Sequence, residues 1–106
     1  MIQVVGIRVS RNSDSPLAAA DEFYAEDCPS MKDYPEGFDL MVLYFDGAGP
    51  EHHAWRLAAI QGLAREAAPA RVNGIVGDDE QGIAATLAWL EQAPGITGQL
   101  LSIQGG

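Results

Sequence analysis

The sequence predicts an α/β fold with a parallel sheet of about four strands, and three observations lead to it. Strand-like and helix-like segments alternate along the chain in the order βαβαβαβ. Residues 38–45, FDLMVLYF, are apolar at nearly every position, as is typical of a parallel strand buried on both faces. The 106 residues, 47% of them hydrophobic, suffice for one core, so we expect one domain over residues 1–106.

The first half of the chain predicts one strand, one helix and a loop before the central strand. Residues 2–9, IQVVGIRV, are rich in β-branched residues and predict a strand. Ser15 or Asp14 is expected to cap a helix with Pro16 in its first turn. The residues expected on the inner face of that helix are Leu17, Ala20 and Tyr24. Two prolines and a glycine in residues 28–37 predict a loop.

The second half predicts two further helix and strand pairs. A helix is expected over residues 51–68, a strand over 70–77, a second helix from residue 78 onwards, and a last strand over 99–104. The expected inner face of the first of these helices consists of Trp55, Ala58, Ala59, Gly62 and Leu63. The residues that recur at helical spacing in the second are Ile83, Thr86, Leu87 and Leu90. In the last strand the alternation places Leu101 and Ile103 inward.

The charge and cysteine content exclude several classes of partner. Fifteen acidic and six basic residues give a net charge of −9, which disfavours nucleic acid and anionic membrane surfaces. Cys28 is the only cysteine, so no intrachain disulfide and no cysteine-based zinc site is expected. No basic segment precedes the first apolar run, and no apolar run is long enough to span a membrane. We therefore expect a cytoplasmic protein.

Three segments in the second half carry a resemblance to a known family. RVNGIVG at residues 71–77, IAATLAWL at 83–90 and ITGQLLSIQGG at 96–106 follow one another in order. They resemble the last third of short-chain dehydrogenases/reductases, in which RVNxIxPG precedes a helix and TGQxLxVDGG lies near the end. FDLMVLYFDGAG at residues 38–49 is similar to the central strand and NNAG turn of that family. The resemblance implies a Rossmann-like fold in two or three layers, with a reduced parallel sheet.

The resemblance also assigns the positions of the catalytic pair. HAWRLAAIQGLAREAAP is similar to the family's active-site helix, YxxxKAALxGLTRxLA. In this register His53 stands at the tyrosine position and Leu57 at the lysine position, and a slip of one residue brings Arg56 near the lysine position. In the family the tyrosine transfers the substrate proton, while the lysine lowers its pKa and holds the nicotinamide ribose. A leucine can do neither, so no catalytic residue is assigned.

The resemblance further implies an NAD(P) site, but the residues that it needs are altered. Ser10, Asp14 and Pro16 align with the three glycines of the family's TGxxxGxG loop, which let the backbone approach a pyrophosphate. Asp14 would instead add a negative charge there. We therefore predict no cofactor, with NAD(P) kept as the alternative. If a nucleotide or small ligand binds, the expected residues near the strand carboxyl ends are Arg11, Asp46, Gly47, His53 and Asp78.

Two polar clusters contain side chains that could bind a metal, and no metal is predicted at either. Adjacent His52 and His53 point in different directions on a helix, and we expect surface or capping residues there. Asp78, Asp79 and Glu80 follow a strand, and we expect them to cap the next helix, although an acidic crevice for Mg²⁺ is the alternative.

Four further positions carry structural predictions. Asn73 is expected to tie neighbouring loops together, and Thr97 to cap the turn into the last strand. Trp55 and Trp89 are expected in the core or in an interface.

The reduced sheet leads to a prediction about assembly. The sheet of the family has seven strands, and this chain has about four. The second and third strands, and also the fifth, are therefore expected to be missing. If the remaining strands lie in progressive order, right-handed crossovers place all three helices on one face and leave the other open. We therefore expect a homo-oligomer, in particular a dimer that buries this face or pairs through the last helix and strand. A full-length relative is the alternative partner, and the loop at residues 27–38 an alternative cover.

These observations leave three functions open. The favoured one is a shortened short-chain dehydrogenase/reductase-like protein without oxidoreductase activity, which acts as an oligomerising or accessory module. The alternative is an oxidoreductase-like protein that retains nucleotide or small-ligand binding at the strand carboxyl ends. The third is a reductase completed in a mixed oligomer, with cofactor supplied by the partner chain.

Overall fold

The computed structural model describes residues 2–9, 14–32, 37–47 and 49–103. In these ranges the chain forms a sheet of four parallel strands in the order β1-β2-β3-β4. The strands are β1 (Val4–Arg8), β2 (Leu40–Phe45), β3 (Arg71–Val76) and β4 (Leu100–Ser102). The α/β fold and the reduced parallel sheet are thereby confirmed, and the strands lie in the progressive order on which the expectation about the helix faces was conditional.

The helical segments connect successive strands. They are α1 (Pro16–Glu22), a π-helical turn (Phe23–Asp27), α2 (Cys28–Lys32), a 3-10 turn (Pro50–His52), α3 (His53–Ala67) and α4 (Glu80–Glu91). The loop predicted over residues 28–37 is therefore wrong for residues 28–32, which are helical, whereas Gly37 lies in a turn with a φ of 101°.

The π-helical turn explains why Pro29 does not end the first helical segment. The N–H of Cys28 donates to the carbonyl of Phe23, five residues earlier. Pro29 follows directly and has no N–H of its own. A proline inside a regular helix loses one hydrogen bond and clashes with the preceding turn, and the wider π turn accommodates both effects.

The first face of the sheet is covered by α1, the π-helical turn, α2 and α3. Met41, Leu43 and Phe45 of β2 point to this face and join one apolar cluster with residues of the helices. The helical residues in that cluster are Phe23, Met31, Ala59, Ile60 and Leu63. In the same cluster Val72 of β3 packs beside β2. We call this cluster the first core.

The predicted inner face is wrong for α1, whereas in α3 Ala59 and Leu63 are buried as predicted and Trp55 packs against the first core. Leu17 is 77% and Tyr24 51% exposed, because Ala19 and Phe23 face the sheet instead. In α3 the buried residues are Arg56, Ala59, Ile60 and Leu63, and Ala58 is exposed. The small residues of both helices gave a broad apolar surface without a clear stripe, so packing against the aromatic rings of the first core decided the orientation.

The second face of the sheet is covered by α4. Leu40 and Val42 of β2 point to it and form a second core with Ile75 and Leu90. Ile83 and Leu87 of α4 pack against this core, as the helical spacing predicted. Leu101 and Ile103 also pack against it, which confirms the predicted alternation at β4, while Ser102 is exposed.

The expectation that all helices lie on one face is therefore wrong. Each crossover steps to the next strand in the same direction, yet α4 lies on the face opposite to α3. The third crossover must then have the opposite hand to the first two. Because about 98% of such connections are right-handed, β3-α4-β4 is the left-handed one. The result is a three-layer arrangement in which both faces carry helices.

Side chains from β3 fix the connection between α4 and β4. Arg71 donates from Nη1 to the carbonyls of Leu90 (2.9 Å) and Ala93 (2.8 Å), the first of which is in the last turn of α4. The negative end of the α4 dipole also stabilises a cation at this position. Asn73 donates to the carbonyl of Ile96 (3.0 Å) and accepts from the N–H of Gln99 (3.1 Å). The structural role predicted for Asn73 is confirmed.

Thr97 closes the same connection. Its Oγ1 accepts the N–H of Val72 at 3.1 Å, so the threonine ties the loop before β4 to the start of β3. The N–H of Gly98, whose φ is 72°, donates to the carbonyl of Val72 at 2.8 Å. The α4-β4 loop is thus bonded to β3 through both its side chains and its backbone.

Gly74 in the middle of β3 lets α3 lie close to the sheet. A Cβ at this position would lie 2.8 Å from Leu100 Cδ1 and 3.1 Å from both Ile60 Cδ1 and Phe45 Cε2. The first distance is shorter than a carbon contact allows and the other two are tight, so a larger residue would require these three side chains to move.

Candidate functional site

The carboxyl ends of β1, β2 and β3 open into a cavity of about 340 Å³. This is the edge of a parallel sheet at which open α/β folds bind ligands. The cavity is lined by Arg8, Val9, Tyr44, Phe45, Asp46, Gly77, Asp78, Glu80 and Ile83. Of the residues predicted for a ligand site, Asp46 and Asp78 line it, Gly47 lies between them in the structure, and Arg11 lies outside the described residues.

Asp46, at the end of β2, is paired with Arg56 of α3. Arg56 donates from Nη2 to Asp46 Oδ1 at 2.7 Å and from Nη1 to the Asp46 carbonyl at 3.0 Å. The Arg56 side chain is only 3% exposed, whereas that of Asp46 is 38% exposed. The pair therefore places the carboxylate at the mouth of the cavity and the guanidinium in the protein interior.

The guanidinium of Arg56 lies against aromatic rings. Its Cζ is 4.9 Å from the ring centre of Phe45 and 5.7 Å from that of Trp55. Rings at these distances stabilise a cation through their negative faces. Nε of Arg56 is buried and has no hydrogen-bond partner among the residues that the structure describes. The carboxylate of Asp46 and the two rings thus stabilise this buried charge, which makes Arg56 a structural cation at the end of the first core.

The two adjacent histidines occupy different environments. His52 is 1% exposed, and its Nδ1 accepts the indole N–H of Trp55 at 3.0 Å. The prediction of a surface or capping residue is therefore wrong for His52, because Trp55 covers it. His53 is exposed at the start of α3. The two imidazoles do not converge on a common point, in agreement with the helical geometry that argued against a chelate.

The positions aligned with the catalytic tyrosine and lysine lie side by side on α3. His53 and Leu57 are four residues apart and so share one face of the helix. His53 is exposed and Leu57 is half-buried. The pair offers one imidazole and one alkyl side chain, and only the imidazole can exchange a proton.

The acidic residues after β3 are held by backbone groups. Asp79 caps α4, since its Oδ2 accepts the N–H of Gly82 at 3.0 Å, and Glu80 lies in the first turn. Oδ2 of Asp78 accepts the N–H of Gly47 at 3.3 Å, which links the ends of β3 and β2. In the portion of the chain that the structure describes, no group of three metal-ligating side chains comes together. The predicted capping role is confirmed for Asp79.

The start of α1 is where the resemblance implies a pyrophosphate. Pro16, the first residue of α1, has no N–H, and the N–H of Ala18 already donates to Ser15 Oγ at 3.4 Å. Asp14 precedes the cap and adds a negative charge. Among residues 14–18, therefore, the donors and the charge do not fit a pyrophosphate. Ser10 lies outside the described residues.

Tyr44 and Arg8 lie on the floor of the cavity and were not predicted as site residues. The ring of Tyr44 covers Gly6, where a Cβ would lie 2.9 Å from Tyr44 Cε2. Burial raises the pKa of Tyr44, and the nearby Glu91 carboxylate raises it further. Arg8 is exposed at the end of β1. Both side chains reach this floor because the alternation of the strands places residues 8 and 44 on the α4 face, in register with each other.

Arg56 was also missed, apart from its mention as a slipped lysine position. One signal in the sequence could have found it. Arg56 is the only cation on the buried side of α3, and this helix follows the acid at the end of β2. A buried charge needs an opposite charge within reach, and Asp46 is the acid that the preceding turn supplies.

The structure and the comparisons bear on what kind of protein this is. No helix in the described ranges is both long and apolar enough to cross a membrane. A family model described as short chain dehydrogenase-like protein matches residues 7–103. The search of curated proteins and the search of solved structures found no match. The family match covers all four strands, apart from the first residues of β1, and all of the helices.

Proposed function

The chain belongs to the short-chain dehydrogenase-like family, and we propose that it is a member without oxidoreductase activity, which acts as an oligomerising or accessory module. The observation that carries the proposal is the pair at the catalytic positions. Leu57 is half-buried and has no titratable or hydrogen-bonding group, so it can neither lower the pKa of a neighbour nor hold a ribose hydroxyl. An exposed His53 alone leaves the proton-transfer pair incomplete.

We further propose that the chain does not bind NAD(P) in the manner of its family. The start of α1 supports this, since it lacks one N–H at Pro16 and uses another, that of Ala18, within its own cap. Asp14 adds charge repulsion against a phosphate. The ion pair of Asp46 with Arg56 also occupies the turn after β2 with an internal contact.

As an accessory module the chain would act through its surfaces, and we propose a homodimer. The original reason for a dimer, a sheet face without helices, does not hold, because α4 covers part of that face. Two features still support self-association. Within the described ranges no helix lies over β1 on the α4 face, where Gly6 and Arg8 are exposed, and Trp89 is 53% exposed on α4. A full-length relative with a matching surface is the alternative partner.

Two measurements on the 106-residue chain test this function. Isothermal titration with NADH and with NADPH should give no binding at submillimolar concentration. Light scattering after size-exclusion chromatography should give a mass twice that of the 11.3 kDa chain. Submillimolar binding of either dinucleotide would overturn the absence of a cofactor, and a monomer throughout the micromolar range would overturn the homodimer.

A second candidate is the binding of a nucleotide or another small ligand at the strand carboxyl ends. The cavity of about 340 Å³ supports it, because the guanidinium of Arg8 and the carboxylates of Asp78 and Glu80 all line the space. Titration with AMP and ADP separates the candidates. Binding that Asp78→Asn alters and that leaves the mass unchanged would favour a ligand-binding protein.

The location and the unit of action are also proposals. The only cysteine, Cys28, supports a reducing compartment, and we place the protein in the cytoplasm on that ground. We treat residues 1–106 as one domain, because both cores share the single sheet.

A further inference from the structure

β1 is an edge strand, and one side of its backbone faces away from the sheet. The N–H of Val9 donates to the Tyr44 carbonyl, and the carbonyl of Gln3 accepts the N–H of Leu40. The odd-numbered residues of this segment therefore direct their backbone groups toward β2. Because successive residues of a strand alternate, the N–H and C=O groups of Val4, Gly6 and Arg8 point outward. No residue within the described ranges hydrogen-bonds to them.

The outer edge of β1 has few of the features that protect edge strands, since its one charged side chain, Arg8, stands at the carboxyl end. Natural edges are blocked by prolines, bulges, short length or charged side chains. β1 has five residues, VVGIR, with no proline and no acid, in a chain that carries fifteen acidic residues. Val5 and Ile7 are half-buried and Gly6 is exposed. Such an edge is suited to pair with a further strand.

We propose that two copies of this chain pair antiparallel through β1, so that Gly6 of one copy lies opposite Gly6 of the other. This inference rests on the proposed self-association and names its surface. The outward N–H and C=O groups of Val4, Gly6 and Arg8 are arranged symmetrically about Gly6. In this alignment Val4 of one copy therefore lies opposite Arg8 of the other, and Gly6 lies opposite Gly6. About six N–H···O bonds then join the copies, two for each hydrogen-bonded residue pair. The product is a continuous sheet of eight strands, four from each copy.

The side chains of β1 match themselves in this alignment. Val5 of one copy lies opposite Ile7 of the other on the first face, and such β-branched pairs stabilise antiparallel strands. On the α4 face the two glycines meet, and the Tyr44 ring that covers Gly6 in each copy lies beside the dyad. Aromatic rings over facing glycines shield their backbone from water.

The charges also favour the antiparallel direction. Arg8 lies at the carboxyl end of β1, whereas Asp39, whose Oδ2 accepts the N–H of Gln3, lies at the amino end. Antiparallel pairing brings Arg8 of one copy to the end where Asp39 of the other lies. The two Arg8 residues stay about 14 Å apart, four residues along the strands, where salt screens their repulsion.

The opposite edge of the sheet is a weaker candidate for strand pairing. β4 contains only three residues in the ladder, Leu100–Ser102, so it offers fewer outward groups than β1. Trp89 lies two helical turns after Gly82, which faces Ile103 beyond the end of β4, and so belongs to this side of the molecule. A Trp89→Ser variant therefore serves as a control for association through α4 and β4.

Disulfide trapping tests the alignment itself. In a Cys28→Ser background, a Val4→Cys/Arg8→Cys variant places each new thiol opposite a thiol of the other copy, at a Cα distance of about 5.5 Å. Within one copy, residues 4 and 8 are about 13 Å apart and cannot bond. Mild oxidation should give covalent dimers of the double variant, and of an equimolar mixture of the two single variants. Each single variant alone should stay uncrosslinked.

A second pair of variants tests the edge without cysteines. Arg8→Pro removes one outward N–H from each copy and leaves the bonds to β2 intact, while Arg8→Ala removes the same charge and keeps the N–H. Sedimentation equilibrium should show a dissociation constant at least about tenfold higher for Arg8→Pro than for Arg8→Ala, and circular dichroism should show both folded. Trp89→Ser should leave the dimer unchanged.

The outcomes separate this inference from the function on which it rests. A dimeric wild type whose single and double cysteine variants crosslink equally, or whose Arg8→Pro variant associates like Arg8→Ala, overturns the β1 interface and leaves the homodimer standing. A wild type that is monomeric throughout overturns both.

Discussion

The two faces of the sheet are covered by helices that are held in different ways. On the first face, the rings of Phe23, Phe45 and Trp55 contact one another, with centroids 5.7 to 6.4 Å apart, and apolar packing orients α1 and α3. On the second face, α4 packs on a smaller core and is fixed at its end by hydrogen bonds from Arg71 and Asn73.

The difference shows how a crossover of the rare hand is maintained. Apolar contact between a helix and a sheet has no direction and does not by itself select a face. Hydrogen bonds from β3 to four backbone groups of the α4-β4 connection select the second face, since they form only when the loop lies on that face. The polar residues of the segment RVNG therefore specify the topology.

The largest expected loss of stability comes from a substitution in the first core, on the first face of the sheet. Phe23→Ala should lower the free energy of unfolding by about 3–5 kcal/mol, because it leaves a cavity among the rings of the first core. Leu87→Ala, in a half-buried residue of α4, should cost roughly 1 kcal/mol, since full burial of a leucine contributes about 1.5–3 kcal/mol. Urea denaturation followed by tryptophan fluorescence measures both, and equal losses would contradict the contrast between the faces.

The ion pair at the end of the first face gives the next effect. Asp46→Ala should cost about 2 kcal/mol, because it leaves the buried guanidinium of Arg56 without an anion, although Asp46 itself is partly exposed. Arg56→Met removes the charge and keeps the contact with Phe45, so its cost should be below about 1 kcal/mol. A larger loss for Arg56→Met in the same denaturation assay would show that the pair itself is stabilising.

The anchors of the second face can be loosened without touching its core. Asn73→Ala should cost about 1–2 kcal/mol, because the carbonyl of Ile96 and the N–H of Gln99 lose their partners. Hydrogen exchange should rise at the amides of Gly98 and Gln99 and stay unchanged in β2. Ser102→Ala, at an exposed position of β4, is the matched control, and uniform acceleration throughout the sheet would argue against a local anchor.

The smallest expected effect is a gain in stability that depends on pH. Burial raises the pKa of Asp27 above 3.8, and the Glu26 and Glu22 carboxylates raise it further. A carboxyl group with a raised pKa binds protons more readily in the folded state, so stability falls as the pH rises through that pKa.

Asp27→Asn removes this cost of ionisation, and the variant should unfold at a higher temperature than the wild type at pH 7. The gain should shrink as the pH approaches 3.8, where Asp27 is increasingly protonated in both states. Thermal unfolding by circular dichroism measures it, with Asp21→Asn on exposed α1 surface as the control. A gain that is the same at both pH values would contradict the proposed cause.

The elements of the fold could be predicted because apolar runs and proline or glycine positions mark them directly. FDLMVLYF predicted a strand buried on both sides, and both cores indeed meet on β2. What the pattern could not supply was the face on which each helix lies. Ile83, Leu87 and Leu90 identify the buried side of α4 equally well for either face of the sheet, and the choice depends on bonds from Arg71 and Asn73 that span about twenty residues of sequence.

The site was predicted in its position and less well in its residues. Asp46 and Asp78 follow strands, so sequence order alone brings them to one edge. Arg56 was missed because alanine-rich α3 has no sharp apolar stripe, and the burial of His52, in the turn before α3, depends on where Phe45 and Trp55 meet. Arg8 and Tyr44 reach the cavity only through the register between β1 and β2.

The tight approach of α3 to the sheet at Gly74 limits which residues can replace this glycine. In a library of all residues at this position, selection for folded protein should favour glycine over large residues, since the ends of three side chains lie within 3.1 Å of such a Cβ. Gly62, on α3 itself, has no atom within 4 Å of such a Cβ, so the same selection should accept most residues there, with alanine favoured for its helix propensity. Two glycines twelve residues apart thus differ in how freely the sequence can drift around them.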